Sequence, residues 1–161
     1  MDNQSFKKTL LEYIQVILIS VITSFVILYF VQISRVVGIS MEPTYHEGNI
    51  VLVDKVFYKN STPEHNDIVV VKYGSEQIIK RVIGVAGDKL ELKDNELYLN
   101  GELLKESYIN EKMDNNDFSY EIPAGKIFVM GDNRNHSIDS RIIGYIDFED
   151  DVVGRVFLKV F

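Results

Sequence analysis

The 161-residue chain contains no cysteine. That excludes a disulfide scaffold, a thiolate nucleophile, Cys-ligated zinc and iron–sulfur clusters. Basic residues are also few: 17 Lys and Arg against 24 Asp and Glu leave a formal net charge of -7. That is the wrong sign for a face that binds nucleic acid, so no nucleic-acid partner is expected. Internal repeats and low-complexity tracts are missing, and no long amphipathic helical pattern occurs beyond Ser34. The chain is still no disordered tail, because 46% of it is hydrophobic. Its length fits one domain, or one domain with an appendage.

Charge is missing altogether from one stretch. Tyr13 to Ser34 gives 22 consecutive uncharged positions. As a helix they would extend roughly 33 Å, the thickness of a bilayer's hydrocarbon core. Ser20, Thr23 and Ser24 interrupt the run, but hydroxyls bond back to a helix backbone and cost little in lipid. Tyr13, Tyr29 and Phe30 stand near the two ends, where aromatic rings favour the membrane interface. A cleavable leader would have a shorter apolar region followed by small residues, whereas Val-Gln-Ile-Ser-Arg follows here. The expected division is therefore 1–12 as a cytoplasmic N-terminus, 13–34 as a transmembrane anchor and 35–161 as an extracytoplasmic β domain. Lys7 and Lys8 before the span, against Arg35 after it, give this orientation a weak positive-inside bias. The 15 basic and 22 acidic residues from Arg35 onward account for the entire -7.

That remainder reads as mainly β. Short β-branched or alternating runs cover 49–56, 67–73, 77–85 and 150–161. Asn100-Gly101 between ELYL and ELLK predicts a type I′ hairpin, whose two central residues need positive φ. Met113–Asp117 is polar and expected to be an exposed loop. The predicted fold is a single antiparallel β domain on a membrane helix.

Three segments stand apart from ordinary strand-and-turn sequence. GISMEPT, Gly38–Thr44, holds a serine between a glycine and a proline turn. IIKRVIGVAGD, Ile78–Asp88, sets two cations inside an apolar strand. Alternation sends Lys80 and Arg81 to opposite faces, and periodicity does not say which one points inward. GDNRNHSIDSR, Gly131–Arg141, is a polar run behind the apolar strand KIFVM; its interleaved Arg and Asp fit an ion-paired, rigid loop. Metal binding has little support there, because His136 stands alone and no acidic cage has EF-hand spacing.

Taken together, the three segments resemble the nucleophile, lysine and C-terminal boxes of the bacterial type I signal peptidases, membrane-anchored Ser–Lys proteases. The single anchor and short β domain resemble the compact form of Gram-positive bacteria. The resemblance implies a signal-peptidase-like β fold and cleavage of secretory preproteins after small-x-small motifs, with no metal or organic cofactor. Ser40 would be the nucleophile and Lys80 its general base, working as a neutral amine. A lysine has an ordinary pKa near 10.4, so burial must lower it. Ser137 would hydrogen-bond and orient that amine. Asp139, Arg141, Asp132 and Arg134 would support the site, with Arg81 paired to one of the carboxylates, and Met41 would pack beside the substrate pocket. Some family members carry a serine two residues before the nucleophile as an oxyanion donor; here the position is Gly38, which leaves the second donor open. On residue types alone, His46, His65 or His136 could instead serve a Ser–His hydrolase, and a non-catalytic membrane-tethered β module is a further alternative. Oligomeric state is not legible.

Overall fold

The computed structural model describes residues 3–59 and 61–160. A long helix, α1 (Asn3–Phe30), leads straight into strand β1 (Val31–Arg35). The expected span over 13–34 is thus corrected at its far end. Val31–Ser34 are uncharged but β-branched and alternating, and they pair in register with β2 (Ile50–Asp54) from Val31↔Asp54 to Arg35↔Ile50. Tertiary pairing, not hydropathy, decides where the helix stops. Lys7–Phe30 is long and apolar enough to cross a membrane, and its large side chains from Leu10 onward are exposed.

The chain continues through β3 (Ile68–Tyr73), β4 (Glu76–Gly84), β5 (Lys89–Lys93), β6 (Glu96–Leu99), β7 (Glu102–Leu103), β8 (Phe118–Glu121) and β9 (Lys126–Met130). A helical turn α2 (Ser140–Ile143), β10 (Ile146–Asp147), a second turn α3 (Phe148–Asp151) and β11 (Val152–Lys159) complete it. Every pairing described is antiparallel. The larger sheet runs β1-β2-β11-β3-β4-β9-β10 and the smaller β7-β6-β5-β8.

Each of the four strands expected from sequence is present, its ends within two residues of the expected ones. Asn100 and Gly101 have φ of 54° and 85° and turn β6 into β7, as the hairpin chemistry requires. In the loop over 113–117, Met113 is an exception: it is buried among Leu92, Leu97 and Phe128 and ties the loop to the smaller sheet's core. Two valine-rich clusters hold the larger sheet. One joins Val51, Val53 and Val70 to Met41 and Tyr45; the other joins Val69, Val71, Val82 and Val129.

Candidate active site

A loop after β1, the middle of β4 and a loop after β9 build the site. In the first loop Val36 and Met41 are buried against the valine cluster, so the residues between them are held at the surface from both sides. Gly38 has φ of +80°, a left-handed conformation in which a side chain is strained. A serine at this position would be strained by the backbone. Past Ser40, the Glu42 N–H donates to Ile39 O at 3.1 Å and the Tyr45 N–H to Met41 O at 2.8 Å, closing the turn.

Lys80 reaches this turn from β4. Its Nζ lies 2.7 Å from Ser40 Oγ, although 40 positions separate the two in sequence. Lys80 is only 2% exposed. Burial, the largest influence, pushes its amine from 10.5 down to about 8. The negative charges of Asp139 and Asp132 pull it partly back, and Arg141 adds to the drop.

The loop after β9 clamps the Ser40 turn. The Asn133 N–H donates to Ser40 O at 3.0 Å, and Asn133 Nδ2 to Ile39 O at 3.2 Å. Gly131 packs directly beneath, where a Cβ would collide with Ser137 Oγ and with the Ser40 carbonyl. Asp132 accepts a fork from Arg81, Nε at 2.8 Å and Nη2 at 2.7 Å, together with the Thr44 hydroxyl. The Arg81 guanidinium also lies 4.0 Å over the Tyr108 ring. Arg134, fully buried, donates to Gly131 O at 3.0 Å and forks onto the Glu106 carboxylate.

Asp139 is completely buried and accepts the Gly131 N–H at 2.9 Å and both Nε and Nη2 of Arg141 at 2.8 Å. Burial works against its charge, but the Arg141 and Gly131 bonds outweigh that and hold the carboxyl below its ordinary range. Arg141 Nη2 also donates to Arg134 O at 2.6 Å, which ties the loop into one rigid piece.

All ten residues singled out from sequence fall in or around this constellation. Arg81, left open between two faces, turns to Asp132 while Lys80 turns to Ser40. The bond implied between Ser137 and the Lys80 amine is not formed. Ser137 Oγ is buried without a hydrogen-bond partner, although its hydroxyl lies close enough to Asp139 to favour that carboxylate's charge. Each histidine is engaged away from Ser40: His46 with Glu42, His65 with Asp88 and His136 with Asn133.

Sequence reading missed Thr44, Glu106, Tyr108, Gly131 and Asn133. Thr44, Gly131 and Asn133 stood inside the quoted segments without a role. Glu106 and Tyr108 gave no signal, because nothing local marks a carboxylate that will face an arginine 28 positions away.

Beside Ser40 and Lys80 lies a cleft of about 170 Å³, with Arg35–Val37 and Met41 on one wall and Glu76–Ile79 on the other. The larger hollow by His136, Ser137 and Arg141, about 370 Å³, opens beyond the far side of the second loop.

The chain is similar to known proteins. A family model described as "Signal peptidase, peptidase S26" matches residues 10–161. A signal peptidase IB of Staphylococcus aureus strain Mu50 is 38% identical over 177 aligned positions, covering 95% of this chain and 90% of the relative. A signal peptidase I U of Bacillus subtilis strain 168 is 34% identical, covering 88% and 81%. The crystal structure of a signal peptidase I from Enterococcus faecalis V583 superposes with a TM-score of 0.54 at 30% identity, covering 60% of this chain and 98% of that one. A family match over residues 10–161 and 38% identity across nearly the whole chain show that it belongs to the signal peptidase family, peptidase S26.

Proposed function

We infer that this protein is a membrane-anchored serine endopeptidase that removes signal peptides from secretory preproteins after a small-x-small motif. The observation that carries the reading is the 2.7 Å approach of a buried lysine amine to Ser40 Oγ. A serine hydroxyl is too weak an acid to attack a peptide bond unaided, and an ordinary ammonium is no base. At a pKa of about 8, roughly one Lys80 in ten is a free amine at pH 7.

The amine takes the Oγ proton while Oγ bonds to the scissile carbonyl carbon. Negative charge gathers on the carbonyl oxygen, with the Ser40 N–H as first donor and the backbone near Gly38 as candidate second. Collapse breaks the C–N bond, and the Lys80 ammonium protonates the departing amine of the mature protein. Lys80 then takes a proton from the water that splits the acyl ester, freeing Ser40 and a signal peptide carboxylate. Asp132 and Asp139 keep the amine's pKa from falling further, and Arg141 keeps the Asp139 carboxylate charged. No metal or organic cofactor enters these steps.

The helix over Lys7–Phe30 supports anchoring in the membrane that also holds the signal peptide's apolar region. Sharing one bilayer raises the effective concentration of enzyme and substrate. In this reading the N-terminus faces the cytoplasm and the β domain the outside.

Purified protein with a preprotein tests the assignment. Mass spectrometry of the product should locate the cut after small-x-small, and Ser40→Ala should abolish it. Wild-type cleavage by Ser40→Ala defeats the proposal, and a His136→Ala variant that loses activity while Lys80→Ala keeps it would transfer the base role to histidine.

A further inference from the structure

We propose that Gln32 and Gln77 form a gate across the membrane-side mouth of the active-site cleft, opened when the extended part of a substrate displaces their amide–amide bond. The proposal rests on the peptidase reading above and adds two residues to it.

One wall of the cleft is an open edge of β4, and the other starts at Arg35, the last residue of edge strand β1. β1 ends the larger sheet and pairs only with β2 among the described strands. β4 pairs with β3 along its whole first half, but β9 joins it only from Arg81 onward, so Glu76–Lys80 has a free side. Three strands lie between β1 and β4 in the sheet order. Curling of the sheet nevertheless brings them face to face. A peptide laid between them meets unpaired backbone groups on both sides, the requirement for strand addition.

Gln32 crosses that lane. Its Nε2 donates to Gln77 Oε1 at 2.9 Å and to Ser34 Oγ at 2.8 Å. Gln32 stands two positions after Phe30, the last residue of α1, and Gln77 lines the cleft three positions before Lys80 on β4. A peptide whose apolar part lies in the bilayer beside α1 therefore reaches Ser40 by passing between the two amides. With the pair closed, the cleft's 170 Å³ is well below the roughly 300–1,000 Å³ of ordinary ligand pockets. An exposed neutral hydrogen bond is weak enough to open: at about 1 kcal/mol it holds back entry by up to about fivefold.

Because the chain has no cysteine, Gln32→Cys/Gln77→Cys introduces a single thiol pair. The full-length protein in detergent is treated with a short, reducible bis-thiosulfonate cross-linker, the product verified by mass, and preprotein cleavage measured before and after reduction. The gate predicts that the cross-link forms, that cleavage drops at least a hundredfold, and that reduction restores it. Failure to cross-link, or wild-type cleavage by the cross-linked protein, overturns the gate. Separately, Gln32→Ala/Gln77→Ala should lower KM by up to about fivefold with kcat within twofold of wild type. An unchanged or raised KM overturns the gate, since a purely structural pair would affect stability or kcat instead. Wild-type protein that cleaves no preprotein overturns the peptidase reading itself, and the gate with it.

Discussion

Lys80 and Arg81 are adjacent in one strand yet end on different partners, Lys80 on the Ser40 hydroxyl and Arg81 on the Asp132 carboxylate. The strand's alternation separates two cations that sequence alone could not rank. Burial disfavours charge on the first, which has no ion-pair partner among the described residues, and the second is held by a fork of hydrogen bonds to the Asp132 carboxylate. One strand thus supplies both the proposed base and a brace.

Replacing Lys80 with arginine keeps a cation but removes the base, because guanidinium is not deprotonated in proteins. Lys80→Arg should lower preprotein turnover by about 100- to 10,000-fold, the usual contribution of a positioned general base. Turnover within a factor of a few of wild type would contradict the base assignment.

The same amine sets the pH response. Only the neutral form accepts a proton, so kcat/KM should rise about tenfold per pH unit below about pH 8 and level off above it. The check is a profile from pH 6 to 10; a flat line between 6 and 8 does not fit.

A buried lysine with a lowered pKa also weakens the fold. Between about pH 8 and 10.5 the unfolded chain holds a proton at Lys80 that the folded protein has lost, so stability rises with pH across that window. Below pH 8 the cost is complete, at about 3 kcal/mol. Lys80→Met should therefore raise thermal stability at pH 7 while abolishing activity, and the gain should shrink toward pH 10.5. Paired melting curves at the two pH values test this.

Asp132 carries the opposite expectation. Removing it leaves the Arg81 guanidinium buried without its partner, and Asp132→Ala should destabilise by about 3–5 kcal/mol in denaturant titrations. Replacing both members with apolar residues, Arg81→Met/Asp132→Leu, should recover much of that loss. Equal stabilities for the single and double variants would show that the pair is not coupled.

Gly131→Ala tests the packing under the nucleophile. The added methyl meets the Ser40 carbonyl and Ser137 Oγ, so something must shift. Overpacking predicts a loss of about 1–3 kcal/mol. A displacement of the Ser40 peptide approaching 1 Å predicts a fall in kcat of about a hundredfold. A variant with wild-type kcat would mean that the clamp has slack.

Much of this site was legible because its chemistry is local in sequence. GISMEPT, IIKRVIGVAGD and GDNRNHSIDSR each hold reactive side chains within one turn or strand, and β-branched runs marked the strands that carry them. The partnerships between segments were not legible. Glu106 meets Arg134 and Tyr108 stacks on Arg81 only because the smaller sheet packs beside the second loop. The end of α1 was misread for a related reason: Val31–Ser34 is apolar enough for lipid, and only the backbone of β2 makes it a strand. Ser137 shows the limit of resemblance, since its position matches while its expected bond does not form.

The sheet order has a consequence for biosynthesis. Ser40 follows β1 and Lys80 lies in β4, and the path between them through the sheet crosses β11, which sits between β2 and β3. β11 leaves the ribosome after every other strand described. Until it inserts, the half bearing the serine and the half bearing the lysine have no shared ladder to align them. A nascent chain therefore carries Ser40 and Lys80 before the sheet that aligns them is complete.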